Sequence, residues 1–121
     1  MLDIIIFLVL LQIKHWYIDF LNQTDNEIKG KGLYGEWQGI GHSLKHGAAS
    51  GLVTVIAFGM SYAPLGLAIA VADFLIHYHI DWTKSNFGNK DIANKAFWAH
   101  LGLDQMAHQL TYIAFAAMVL L

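Results

Sequence analysis

Nine ionisable residues stand inside or at the ends of long apolar runs, and their spacing is regular: His15, Asp19, His42, His46, Asp73, His77, Asp81, Asp104 and His108. His15-x3-Asp19 recurs as His77-x3-Asp81, within the matching words His-Trp-Tyr-Ile-Asp and His-Tyr-His-Ile-Asp. His42-x3-His46 recurs as Asp104-x3-His108. Twenty-two residues separate Asp19 from His42 and again Asp81 from Asp104, so one shift of 62 residues carries every pair onto its copy. On a helix, residues four apart share a face and lie about 6 Å apart along the axis. Four such helices would bring Asp19, His42, Asp81 and Asp104 to one polar layer, with His15, His46, His77 and His108 one turn deeper. A single membrane histidine is commonly a hydrogen-bonded packing residue, and a single Asp at a helix end is commonly interfacial. Neither accounts for four pairs in phase, in two copies, where each ionisable group needs a reason to be in an apolar helix. Converging imidazoles and carboxylates are a metal site in outline.

Five His and three Asp, with no sulfur, suit Zn, Mn or Fe better than Ca or Mg, which prefer all-oxygen shells. Eight ligands exceed what one tetrahedral ion takes and match two ions with bridging carboxylates. Asp73 lies one turn below His77, and its repeat counterpart is Leu11. It reads as a carboxylate orienting an imidazole or as a deep catalytic group that takes a proton. Lys84, three residues past Asp81, and Lys29 or Lys31 are cations for an anionic head group. His79 faces away from His77, and His100 reads as a rim residue.

The elements that must position these groups follow from hydropathy. Hydrophobic residues make up 56% of the 121 and charged ones 13%, about half the share usual in soluble domains. Mean hydropathy is +0.45. The net charge of −2, with lysines and no arginine, leaves no basic surface for nucleic acid. The absence of cysteine excludes disulfides, thiolate metal sites and cysteine nucleophiles. Four apolar helices are expected: Leu2 to Phe20, about His46 to Tyr62, Leu65 to about Trp82, and about His100 to Leu121. The first is read as a retained helix, since Met-Leu-Asp offers no basic start and no small-residue cleavage site follows. Gly47 and Gly51 have the small-xxx-small spacing of close helix pairs, and Pro64 is read as part of a tight turn.

The expected fold is therefore all-α, a four-helix transmembrane bundle over residues 1–121. It is built from two repeated hairpins, 1–62 and 63–121, related by a pseudo-twofold axis along the membrane normal. The polar connections Leu21 to Gly41 and Thr83 to Ala99 fall on one side. Lys29, Lys31, Lys45, Lys84, Lys90 and Lys95 lie in or beside them, and Lys14 is read as snorkelling to the same face. The side of the two termini has no lysine. The positive-inside rule makes the long loops cytoplasmic and the termini external, in an inner membrane. Trp16, Trp37, Trp82 and Trp98 cluster near the same boundary as an aromatic belt.

Four motifs carry a resemblance: His15-x3-Asp19-Phe20-x2-Gln23-x-Asp25, His46-Gly47, Asp73-x3-His77-x3-Asp81-x2-Lys84, and Asp104-Gln105-x2-His108. Together they resemble an uncharacterised family of small bacterial and phage integral membrane proteins. The pattern is similar to that of the membrane-bound metal-dependent hydrolases of the inner membrane, and this resemblance implies a hydrolase. The expectation is thus a metal-dependent hydrolase at the cytoplasmic surface, with His15, Asp19, His42, His46, His77, Asp81, Asp104 and His108 as ligands. Asp73 and Lys84 are the expected catalytic groups, and a membrane lipid or a phosphorylated, lipid-linked molecule is the expected substrate. Alternatives are a di-iron or haem redox protein, a divalent-ion or proton transport module, and a phage accessory protein. A homo-oligomer is compatible with the sequence.

Overall fold

The computed structural model describes residues 1–121, all helix, turn and loop. Five α-helices follow in order: α1 (Leu2–Trp16), α2 (Asp25–Gly30), α3 (Trp37–Phe58), α4 (Ala63–Phe87) and α5 (Lys95–Leu120). A π-helical turn, Tyr17–Leu21, continues α1, and a 3-10 turn, Met60–Tyr62, joins α3 to α4. α1 packs on α3 and α5, and α4 packs on the same two helices, so the four long helices close into a ring. The α3–α4 contact is the closest because side chains are missing there. A Cβ on Gly51 would come within 2.9 Å of Gly66 O, one on Gly66 within 3.0 Å of Gly51 O, and one on Gly47 would overlap Ala70 O.

Several boundaries differ from the expected ones. α3 begins at Trp37 and α4 runs to Phe87, so both pairs of centre residues sit inside helices and not at their ends. α2 lies within the first connection, where no element was expected. Thr24 caps it, accepting the backbone N–H of Glu27 at 3.1 Å. Pro64 is not in the turn but in the first turn of α4, where its missing N–H costs nothing. The reversal is made by Gly59, whose φ of +92° only glycine adopts without strain.

Burial is distributed inside out. Buried polar and charged residues outnumber buried apolar ones, while Ile5, Val9, Leu52, Ile56, Leu67 and Val71 are exposed on the outer faces of the helices. The stretches Leu2–Leu21 and Met60–Phe87 are long and apolar enough to cross a membrane. Only 28% of each apolar window is buried, whereas the core helix of a soluble protein is mostly buried. The apolar core cluster lies at the end of the ring nearer the termini, where Phe7, Leu11, Val53, Ile69, Tyr112 and Phe115 pack together. The polar interior fills the other end.

Candidate metal centre

Each long helix, with the π turn completing α1, contributes one pair of side chains to the polar interior, and no member is more than 9% exposed. α1 supplies His15 and the π turn Asp19; α3 supplies His42 and His46; α4 supplies His77 and Asp81; α5 supplies Asp104 and His108. π turns recur at functional sites, and this one belongs to the first half alone, since α4 passes through Asp81 as regular helix. The imidazoles pile together, with His46 and His77 stacked at 3.6 Å between centroids, His77 and His108 at 4.2 Å, and His15 and His108 at 4.8 Å.

Three groups of donor atoms lie mutually within 4.8 Å and could hold metal ions: Asp19, His42, His46 and His77; His15, His77 and His108; and Asp81, Asp104 and His108. His77 and His108 are shared, so the groups are contiguous. Asp19 is the pivot of the first. Its Oδ1 is 2.9 Å from His42 Nε2, 2.8 Å from His46 Nε2 and 3.7 Å from His77 Nε2, and its Oδ2 is 3.3 Å from His15 Nε2. No lysine pairs with it. Asp81, in the third group, is the other pivot, with His77 at 3.1 Å, His108 at 3.3 Å, His42 at 3.5 Å and Lys31 Nζ at 3.1 Å.

Protons can be placed from the surrounding donors. Lys14 Nζ faces Asp73 Oδ2 at 2.8 Å, His46 O at 3.2 Å and His46 Nδ1 at 3.1 Å. An ammonium only donates, so His46 Nδ1 accepts and its N–H sits on Nε2, donating to Asp19. The Tyr112 hydroxyl, fully buried, has His15 Nδ1 at 3.0 Å as its acceptor. His15 therefore also carries its N–H on Nε2, donating to Gln105 Oε1 at 3.0 Å. Gln105 in turn donates to Asp104 Oδ2 at 2.9 Å.

His42 is different. Its Nδ1 donates to Glu27 Oε2 at 2.9 Å, so in a neutral ring the Nε2 lone pair faces the carboxylates of Asp19 and Asp81. Acceptors facing one another need a cation between them, a proton or a metal ion. His77 Nε2, His108 Nε2, Asp81 Oδ2 and Asp104 Oδ1 are buried without a hydrogen-bond partner. They approach one another closely but are not aimed along hydrogen bonds, the arrangement expected of donors directed at a common ion. The residues present thus fit divalent cations, and the carboxylate on the far nitrogen of His42 is the customary partner of a metal-bound imidazole.

The remaining expected site residues lie at the margins. Asp73 is buried one turn below the centre, where it accepts from Lys14 and Ser50. Both contacts fall on its Oδ2. Lys14, expected to snorkel outward, is turned inward instead, because Asp73 Oδ2, the His46 carbonyl and His46 Nδ1 satisfy its three donors there. Lys84 is 40% exposed, with Nζ 3.5 Å from Asp104 Oδ2.

A family model described as a protein of unknown function (DUF3307) matches residues 6–121. The chain belongs to this family. The matched span includes the whole centre. No curated protein and no solved structure matches the chain.

Four residues of this DUF3307 chain complete the centre and were not singled out by spacing. Glu27 holds His42 and accepts from Lys45 Nζ at 2.8 Å. Burial by itself would raise its carboxyl; hydrogen bonds from Lys45 and His42 outweigh that and hold it below the usual 4.5. The capping pattern Thr24-x-x-Glu27 was the signal available for it. Tyr112 lies four residues after His108, on the same face of its helix, while Lys14 directly precedes His15 and Gln105 directly follows Asp104.

Proposed function

We propose that the chain is a four-span membrane protein whose buried centre holds two transition-metal ions and hydrolyses a phosphate ester at the cytoplasmic surface. Asp19 carries this reading. It is a carboxylate buried among four imidazoles with no lysine, and a divalent cation balances its charge most economically. The ligands are Asp19, His42, His77, Asp81 and His108, while His15 and His46, with protons on Nε2, hold Asp19 in place and Asp104 stands beside the ions as a free carboxylate. The 62-residue repeat of the pairs and the ring of helices agree with two hairpins related by a twofold axis. The inside-out burial and the lysines at one end agree with a bilayer, with the polar end at the cytosol.

Bound metal ions would supply Lewis acidity toward a phosphoryl oxygen and would acidify water toward pKa ~7. Asp104 is the group to receive the proton of the attacking water, since its Oδ1 has no hydrogen-bond partner. The water oxygen bonds to phosphorus, the ester P–O bond breaks, and that proton passes to the departing alkoxide. Lys84 faces the anionic group. Haem is disfavoured because imidazoles stacked at 3.6 Å leave no slot for a porphyrin. Transport is disfavoured because Phe7, Leu11, Ile69 and Phe115 close the other end of the ring.

Elemental mass spectrometry of the detergent-purified protein tests the reading, together with phosphate release from an alkyl phosphate. About two equivalents of zinc, manganese or iron are expected, with loss of both metal and activity in Asp19→Asn. A folded wild-type protein without metal would overturn the reading. Iron that consumes dioxygen without releasing phosphate would replace hydrolysis by redox chemistry.

A further inference from the structure

Between α4 and α5 lies a groove of about 730 Å³, within the range of small-molecule sites. Leu75, Ile76, Leu103 and Ala107 line its apolar end, and Lys84 and His100 line its polar end. Leu75 is 49% and Leu103 59% exposed, so the groove opens sideways onto the apolar outer surface.

The origin of the groove is legible 62 residues earlier. Lys45 stands where the second half has Ala107, and it reaches across from α3 to Asn22 Oδ1 at 3.0 Å and Glu27 Oε1 at 2.8 Å. Asn22 is the counterpart of Lys84 and Glu27 of Asn89. The first half thus spans this corridor with its own lysine and braces it with α2. The second half shortens the lysine to alanine, forms no helix between Gly88 and Asn94, and leaves the space open. The cation has moved from the α3 position to Lys84 on α4, at the rim.

The polar end is built to meet an anion. The Asn89 backbone N–H donates to His100 Nδ1 at 2.8 Å, which puts the ring's own N–H on Nε2, free to donate. Lys84 adds a partly exposed ammonium. Asp104 also lines the groove, and its buried Oδ1 has no hydrogen-bond partner while its donor group includes Asp81 and His108. The groove therefore connects the outer apolar surface to the metal centre at one carboxylate.

We propose that this groove seats the hydrocarbon chain of a single-chain membrane amphiphile. Its phosphate ester head group lies between Lys84, His100 and the centre, an assignment that rests on the hydrolase reading for what becomes of the head group. Two donors at one end select the phosphate; the apolar wall selects the chain. A free phosphate ion would use the donors and ignore the wall.

The test is native mass spectrometry of the full chain in neutral detergent, with hexadecyl phosphate, hexadecanol and inorganic phosphate as probes, before and after treatment with EDTA. Hexadecyl phosphate should be retained at least about tenfold more tightly than hexadecanol, a difference of about 1.4 kcal/mol. Inorganic phosphate at equal concentration should not displace it. Lys84→Gln should abolish most of that preference, and Ala107→Leu should weaken both amphiphiles about tenfold while metal content is retained. Leu103→Trp blocks the groove from its exposed wall should Ala107→Leu fail to fold. Equal retention of the alcohol and the phosphate ester overturns the proposal, as does undiminished binding in a folded groove-filling variant. Displacement by inorganic phosphate overturns it in favour of a site for the free ion. Retention of the chain-bearing phosphate by a protein without metal or hydrolysis sinks the hydrolase reading alone. Metal content and hydrolysis without chain selectivity sink the groove alone.

Discussion

Lys14 and Asp73 form the one lysine–carboxylate pair set below the centre, at 2.8 Å, with both side chains under a tenth exposed. The lysine also fixes the tautomer of His46, and through it the hydrogen bond that orients Asp19. Removing one partner leaves an uncompensated charge in an apolar surrounding. Lys14→Met should therefore cost about 3–5 kcal/mol, seen as a large drop in melting temperature in detergent. Lys14→Met combined with Asp73→Asn should recover most of that loss, because a neutral amide can still hydrogen-bond Ser50. A double variant no better than Lys14→Met alone would mean that the pair does not act as a unit.

At the scale of elements, two devices set the geometry. α2 is too short to be stable by itself, and its role is to deliver Glu27 to the far nitrogen of His42. Glu27→Ala should weaken metal binding about 10–100-fold, the usual consequence of losing such a support, while leaving the long helices intact by circular dichroism. Unchanged affinity would reduce α2 to a cover. The second device is the glycine seam between α3 and α4. A methyl group on Gly47 has no room beside Ala70 O, so Gly47→Ala should destabilise by about 1–3 kcal/mol. Gly41→Ala, on the same helix with nothing within 4 Å of the new carbon, should stabilise by up to about 1 kcal/mol. Thermal unfolding of the two variants gives opposite signs if close approach is what the seam provides.

For the whole molecule, the polar interior makes stability conditional on charge balance. The carboxylates of Asp19, Asp81 and Asp104 share one end of the ring, and only Asp81 and Asp104 have lysines near them. Ligation contributes folding free energy in such a site. Chelation should lower the melting temperature and restoring the metal should raise it, with a shift that grows with free metal concentration by mass action. An EDTA-insensitive melting curve would show that imidazolium, not metal, balances Asp19. The apolar outer surface gives the molecule its solvent, and the Phe7, Leu11, Ile69 and Phe115 cluster closes the end away from the centre.

The sequence by itself determined the helical class and the phase of the polar residues, because a spacing of four fixes a shared helix face whatever surrounds it. That is why all eight of His15, Asp19, His42, His46, His77, Asp81, Asp104 and His108 were legible as converging. It did not determine where the helices end. Apolar runs mark the solvent-facing parts, whereas α3 and α4 extend into polar segments whose inward faces are paired with neighbours. The inward turn of Lys14, the reach of Glu27 from α2 and the different roles of the five imidazoles were settled only by the tertiary structure. Each depends on which donor or acceptor a neighbouring helix presents, and a proton's place on a ring is decided by the group facing its other nitrogen. The open groove at Ala107 is of the same kind. A short side chain in a sequence becomes a cavity only when the fold removes the neighbours that would have filled it.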